Sequence, residues 1–325
     1  MRLKTNLSIS LVVLVLSSWF NAPLFAQDIS LRQKAYSSWR KSNADVWQSD
    51  LRSHLFDLLK MNDLMLDKEK PKLNPSLIKT GDSTSYSIKE LEINSTDTRR
   101  IRLVLTIPKT ARKDLPAIVC IAGHGGDRYT VYNNQKIYKS FATELARKEF
   151  ITISADVGQH EIYESNRTLM GERLWDLMRC VDYLESLPMV DKSRIGCAGL
   201  SLGGEMSMWL GAMDQRMKVT VSSGFLTYMD QMEQDHCMCW KFDDLRELVD
   251  FPDIYSMIAP RFLQCQNGLK EPPTAFVPEL AKKALAEIEV IYQDFDQKNK
   301  VELIIHEGGH EIDLYPLLSI FENHL

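Results

Sequence analysis

From Leu115 to the C-terminus, the hydrophobic and polar positions of this chain alternate between two periods. Short apolar runs typical of buried strands are separated by segments with apolar residues at helical spacing. Strands are predicted at 117–122, 150–155, 195–198, 219–223, 261–265 and 301–305, and helices at about 138–147, 174–184, 204–213, 279–293 and from 314 onward. Such alternation predicts an α/β fold, with a mostly parallel twisted sheet covered by helices on both faces.

The region before Leu115 has a different pattern. Trp47, Leu51 and Leu55 predict an amphipathic helix. Two strand-like runs, 86–93 and 100–107, are separated by polar residues and predict a hairpin. We therefore expect a single α/β domain over residues 27–325, in which residues 27–80 form an N-terminal helical extension.

Residues 1–26 have the layout of a secretory signal peptide. Arg2 and Lys4 precede an apolar stretch from Leu7 to Phe20, and cleavage is expected after Ala26. A retained membrane anchor is the alternative, but the stretch is short for a membrane span and is interrupted by Ser and Asn. The sequence predicts a periplasmic or extracellular protein without a stable membrane anchor.

The charge of the chain excludes some partners. Its 39 Lys and Arg residues are scattered among 44 Asp and Glu residues, which gives a net charge of -5. A nucleic-acid-binding protein would carry a basic patch, so no nucleic-acid partner is expected. The oligomeric state has no signal in the sequence.

An apolar strand runs into residues 199–203, which read Gly-Leu-Ser-Leu-Gly, the G-x-S-x-G pattern of a nucleophile elbow. Such a turn lifts the serine hydroxyl clear of the chain but strains the backbone, and side chains two residues away would clash. An ordinary Gly-rich turn is the alternative. Met206, Trp209 and Leu210 continue at helical spacing and supply the strand-turn-helix context of the elbow. Ser201 is therefore predicted as the nucleophile of a serine hydrolase.

A Gly-rich loop follows the strand at 117–122. A tetrahedral intermediate needs backbone N–H donors aimed at its oxyanion, and small residues can present them. We expect the N–H of Leu202 and that of Gly126 to form this oxyanion hole, with Gly125 as the second choice for the early loop. His124 in the same loop is interpreted as a structural histidine.

The general base should follow the nucleophile in the chain. His306 and His310 both come after the strand at 301–305, and His310 is preferred because two glycines let its loop swing toward Ser201. The remaining histidines have no matching context and are interpreted as solvated or structural: His54, His160, His236 and His324.

The acid that orients the base should follow a late strand. Glu271 is the only carboxylate in the turn after the strand at 261–265, so it is predicted as the third catalytic residue. A solvated loop charge is the alternative interpretation of Glu271. Asp230 and Glu233, after the preceding strand, are the alternative acids.

The six cysteines point to no cofactor. Cys120, Cys197 and Cys265 lie in strand-like runs and Cys180 in a helical pattern, where free buried thiols are expected. The remaining two, Cys237 and Cys239, stand beside Asp235 and His236, but two thiols one residue apart lack the second ligand pair of a zinc site. We expect no metal there, but a loop that packs against the site, with a local disulfide as an option.

As a set, these motifs resemble the α/β-hydrolases of the dienelactone-hydrolase superfamily, in particular the acetyl-xylan-esterase-like branch of exported bacterial esterases. The matching segments, from about Tyr86 to the C-terminus, are 123–126, 186–188, 190–191, 194–196, 199–204, 258–261 and 308–312. Two positions depart from the family: Glu271 stands where relatives usually carry Asp, and 156–160 where they tend to have an Arg-Gly turn. The first leaves the identity of the acid open, and the second affects the pocket wall.

The leading hypothesis is an exported serine carboxylesterase with Ser201, His310 and Glu271 as its triad. The resemblance implies small acyl groups, such as acetyl, on a small-molecule or oligosaccharide ester, and neither metal nor cofactor. The segment 225–253 is expected to wall the pocket. A serine peptidase of the same fold and a non-catalytic carbohydrate-binding relative are the alternatives.

Overall fold

A computed structural model describes residues 43–67 and 69–325. The predicted signal peptide and the first part of the predicted extension lie outside these residues. None of the helices in the described part of the chain is both long and apolar enough to cross a membrane.

Nine strands form one sheet with the order β1-β2-β3-β5-β4-β6-β7-β8-β9. The strands are β1 (Ser76–Asp82), β2 (Tyr86–Asn94), β3 (Arg100–Pro108), β4 (Leu115–Ile121), β5 (Ile151–Ala155), β6 (Val190–Leu200), β7 (Met217–Ser223), β8 (Phe262–Gly268) and β9 (Val301–His306). Strands β1 to β3 are antiparallel to their neighbours, including the β3–β5 pair, and the others pair in parallel. The predicted mostly parallel sheet is confirmed.

Helices cover both faces of this sheet. They are α1 (Ala44–Leu58), α2 (Asn62–Leu66), α3 (Thr130–Asn133), α4 (Phe141–Arg147), α5 (Leu169–Ser186), α6 (Leu202–Met213), α7 (Met229–Met232), α8 (Leu245–Leu248), α9 (Phe251–Ser256), α10 (Pro278–Asp294) and α11 (Leu314–His324), with 3₁₀ turns at Met238–Trp240 and Lys298–Lys300. One apolar core joins α1, α5, α6 and α10 to the sheet, and a second joins α4 and α11 to its other face. The predicted amphipathic helix at Trp47, Leu51 and Leu55 is α1, and the predicted hairpin is β2–β3.

The prediction of a helical extension over residues 27–80 is wrong at its C-terminal end, because residues 76–82 form strand β1. Every residue of β1 is exposed, and its pairing with β2 is antiparallel. A strand that buries neither face has no reason to alternate apolar and polar residues, so the sequence pattern did not reveal it.

The parallel part of the sheet determines where chemistry can occur. The loops after β4, β5, β6, β7, β8 and β9 all leave the carboxyl edge of the sheet, where ligands bind in open α/β folds. The predicted functional residues come from these loops and from the start of α6.

Candidate active site

Ser201 lies in a strained turn between β6 and α6. Its backbone angles are φ 62° and ψ -125°, outside the regions that L-residues commonly adopt. Its N–H donates a hydrogen bond to the Ser223 carbonyl at 2.9 Å, and its own carbonyl accepts one from the Glu205 N–H at 2.9 Å. The surrounding backbone thus holds a conformation that costs on the order of 1–3 kcal/mol elsewhere.

The two glycines of the turn are required by close backbone contacts. A Cβ on Gly199 would lie 2.3 Å from the Gly203 carbonyl oxygen, and a Cβ on Gly203 would lie 2.2 Å from the Ile121 carbonyl oxygen. Since both obstacles are main chain, neither can rotate away. This is the physical reason for the glycines in the sequence motif.

His310 and Glu271 meet at the same edge of the sheet. His310 Nδ1 lies 3.0 Å from Glu271 Oε1 and 3.2 Å from Oε2. The Glu271 side chain is 1% exposed and the His310 side chain 33%. A buried carboxylate that accepts from Nδ1–H selects the tautomer with a free Nε2 lone pair, which a general base requires.

The imidazole lies against Gly224, the residue that follows β7. A Cβ on Gly224 (φ 59°) would lie 2.8 Å from His310 Cε1 and 3.2 Å from Leu200 Cδ1, so only glycine leaves room for the ring. Phe276 stacks on its other side, with ring centroids 5.4 Å apart. Within residues 43–67 and 69–325, the Ser201 hydroxyl does not donate to His310; such contacts often tighten only in the substrate complex.

The two predicted oxyanion donors differ in whether their N–H groups already have a hydrogen-bond acceptor. Leu202 is the first residue of α6, so its N–H has no acceptor within the helix. The Gly126 N–H donates at 3.1 Å to the Gly123 carbonyl and closes a turn in which Gly125 has φ 70°. The Gly123 N–H donates to the buried Tyr138 hydroxyl at 2.7 Å, which ties this turn to the protein body.

The alternative site residues lie in other environments. Glu233 accepts from Lys241 at 2.6 Å, and Asp230 pairs with Arg246. These cations belong to the 225–253 segment, and the hydrogen bond from Lys241 is the main cause that lowers the pKa of Glu233. His306 caps the end of β9, where its Nδ1 accepts from the Gly308 N–H at 3.2 Å.

Four metal-binding side chains come together near the Gly123–Gly126 turn. His124 Nε2 lies 3.1 Å from Cys239 Sγ, and His160 Nε2 lies 3.3 Å from Cys237 Sγ. All four donor atoms lie within 4.8 Å of one another. The loops after β4 and β5 thus place two imidazoles, a possible second ligand pair, beside the two thiols.

These four residues are the functional candidates that the sequence analysis missed. Both cysteines are free thiols. Loss of solvent contact, with the charge of Arg173 and the neighbouring histidines, lowers the pKa of His124 to about 4, although part of the ring is exposed. His124 is therefore neutral at pH 7. The available signal was the position of His124 and His160, each in the loop after a strand that ends at the active-site edge.

A buried carboxyl group lies behind the elbow. Glu205, on the first turn of α6, is 2% exposed, and its Oε1 has no hydrogen-bond partner among the described residues. Burial raises the pKa of Glu205 to about 8, an effect that Arg173 opposes. The group is therefore mostly protonated at neutral pH.

The fold and the elbow geometry can be compared with known proteins. A family model described as "Glucuronyl esterase, fungi" matches residues 93–225, less than half of the chain. A glucuronoyl esterase from Solibacter usitatus aligns with a TM-score of 0.66 at 16% identity, covering 86% of this chain and 94% of its own. An acetyl xylan esterase from Paenibacillus sp. R4 aligns with a TM-score of 0.63 at 19% identity, covering 85% and 99%. The chain has the α/β-hydrolase fold.

A curated relative of this α/β-hydrolase is similar in sequence as well. YtaP of Bacillus subtilis strain 168, which is named as a hydrolase, is 26% identical over 179 residues, or 47% of this chain. The matched region spans 60% of the length of that relative. The family model and this relative therefore each match only part of the chain.

Proposed function

We propose that this α/β-hydrolase is an exported serine carboxylesterase with Ser201, His310 and Glu271 as its triad. The observation that carries the proposal is the buried Glu271 carboxylate against His310 Nδ1, with the same imidazole packed against Gly224, a position that Leu200 of the elbow also adjoins. The chain order nucleophile, acid, base agrees with the order in this fold.

The reaction would follow the acyl-enzyme route. Ser201 Oγ attacks the ester carbonyl carbon while His310 Nε2 takes its proton, and the same proton then passes to the leaving alcohol oxygen. Glu271 holds the ring and stabilises its positive charge. The Leu202 N–H donates to the oxyanion, and the Gly123–Gly126 turn supplies a second donor, from Gly126 or from Gly125. A water activated by His310 then releases the acid.

The proposed substrates are carbohydrate esters with a small acyl group such as acetyl. A second candidate is an ester in which a sugar acid is the acyl part, because the family model that matches residues 93–225 describes glucuronyl esterases. The two substrates place the sugar on opposite sides of the scissile bond. They are distinguished by comparing kcat/KM for an acetylated sugar and for a benzyl ester of glucuronic acid.

The test is hydrolysis of 4-nitrophenyl acetate by the purified protein and three variants. Ser201→Ala is expected to lower kcat by at least about 10³-fold. Glu271→Gln is expected to lower it by about 10²- to 10⁴-fold, because the amide neither fixes the ring nor stabilises its charge. Asp230→Asn is the matched control, since this carboxylate pairs with Arg246, and we expect it to retain the parent activity.

Other outcomes would replace the proposal. Activity lost in Ser201→Ala and Asp230→Asn but kept in Glu271→Gln would move the acid to the 225–253 segment. Cleavage of peptide amides in preference to esters would favour the peptidase alternative. A parent protein that neither turns over esters nor reacts with a fluorophosphonate would favour a non-catalytic carbohydrate-binding protein.

A further inference from the structure

The cluster of His124, His160, Cys237 and Cys239 has no role in the proposed ester hydrolysis. Its members come from three separate loops: the loop after β4, the loop after β5 and the 225–253 segment. Each thiol lies against a different imidazole nitrogen, and the two rings stack with centroids 5.3 Å apart. We propose that these four side chains bind one zinc ion.

The donor set and its spacing fit zinc. Two thiolates and two imidazoles are the ligands of Cys₂His₂ structural sites. With bond lengths of about 2.3 Å to sulfur and about 2.0 Å to nitrogen, a tetrahedral site has ligand atoms about 3.3 to 3.8 Å apart. The observed S···N contacts of 3.1 and 3.3 Å are close to this range, and the widest separation, at most 4.8 Å, needs a shift of about 1 Å.

Arg173 supports the cluster from behind. Its Nη1 lies 3.4 Å from Cys239 Sγ, and its Nη2 donates to the Gln159 carbonyl, adjacent to His160. The residue is 0% exposed. The contact with the Gln159 carbonyl fixes the loop that carries His160, and the contact with Cys239 Sγ holds the thiol beside it.

The location indicates a structural role for the zinc ion. Four protein ligands close the coordination sphere, which is the arrangement of structural rather than catalytic zinc. His124 belongs to the Gly123–Gly126 turn, so the ion would join that turn to the loop after β5 and to the 225–253 segment. Gly158 already packs on this turn, since a Cβ there would lie 3.2 Å from the Gly126 carbonyl oxygen.

The first test measures metal content in the full purified chain, loaded with zinc under reducing conditions and dialysed against metal-free buffer. The parent is expected to retain one zinc ion per chain by elemental mass spectrometry. Cys237→Ser and His124→Gln are expected to lose it. The matched control is His236→Gln, because His236 adjoins Cys237 in sequence but contacts the Thr274 carbonyl at 2.8 Å.

A second measurement needs no variant. Cobalt in place of zinc is expected to give sulfur-to-cobalt charge-transfer absorption in the near ultraviolet, together with the visible bands of a tetrahedral ion. Both readouts are independent of ester hydrolysis, so they test the zinc site whether or not the triad is correct.

Three results would overturn the proposal. One is a parent chain without zinc whose intact mass shows a Cys237–Cys239 disulfide. Another is zinc retained at the parent level when both cysteines are replaced by serine. The third is a parent chain that retains no zinc although both cysteines stay reduced.

Discussion

The elbow and the His124/His160/Cys237/Cys239 cluster lie at the same edge of the sheet but are built in opposite ways. The elbow is made by neighbours in sequence, and main-chain contacts of 2.2 to 2.3 Å from a Cβ position leave no alternative to glycine. The cluster is made by side chains from three loops, of which three are exposed and Cys239 is half-buried. One site is thus fixed by steric exclusion and the other is assembled from side chains of separate loops, so we expect the two to respond differently to mutation.

Gly203→Ala should have the largest effect on stability. The new methyl group would meet the Ile121 carbonyl at 2.2 Å, and moving that main chain would disturb β4 and the elbow together. We expect the free energy of unfolding to fall by about 3 kcal/mol or more in urea titration. Gly81→Ala is the control, because its Cβ would lie at an ordinary 3.6 Å from the nearest atom. Equal losses in both variants would contradict the steric account.

Glu205→Gln tests the polar group between the two regions. The folded protein holds a proton on Glu205 up to about pH 8, whereas the unfolded chain loses it near the ordinary pKa of a Glu carboxyl, about 4.5. The parent therefore loses stability as the pH rises from about 4.5 to 8, and the variant does not. The variant should be more stable than the parent by several kcal/mol at pH 9 and nearly equal to it at pH 4. Urea unfolding at both pH values measures this, with exposed Glu247→Gln as the control.

Tyr138→Phe should have a smaller effect on the turn that joins the two regions. The variant leaves the buried Gly123 N–H without its acceptor, which costs roughly 1–2 kcal/mol of unfolding free energy. A several-fold fall in kcat should accompany it, because the turn that carries the proposed oxyanion donor loses its anchor. Tyr315→Phe is the control for stability, since Tyr315 is 82% exposed. If neither the free energy of unfolding nor kcat changed, this hydrogen bond would have no role in the stability of the turn or in the site.

Elements with a strong period were predicted to within a few residues. The elbow strand and helix, the β2–β3 hairpin and α10 have one buried face or two, so burial constrains their sequence. Edge strand β1 is exposed along its whole length and left no such pattern. The spacing of apolar residues in a sequence reflects burial, so an element that buries no face has no such pattern.

The residues of the candidate sites also differ in how far the sequence alone indicates them. Ser201 could be proposed as the nucleophile because the elbow is local, and Glu271 and His310 could be proposed as its partners because each follows a strand at the active-site edge. The cluster could not be assembled from the sequence, since Cys237 and Cys239 lie in a segment that no strand order places near His124 or His160. Only the path of the 225–253 segment, set by packing of Trp240 and Phe251, brings the thiols to the imidazoles.

In the absence of zinc, His160→Asn should have the smallest effect on stability of the variants considered. In chelator-treated protein His160 is exposed and, among the residues that the structure describes, contacts only the Cys237 thiol and the stacked ring of His124, so the free energy of unfolding should change by less than about 0.5 kcal/mol. With zinc, the melting temperature of the parent should rise and that of the variant should not, because a ligand that binds only the folded state stabilises it. His54→Asn, at another exposed position, should behave like the parent in both conditions. If the metal-free variant instead lost about 2 kcal/mol of unfolding free energy, the cluster would be fixed by steric contacts, as the elbow is.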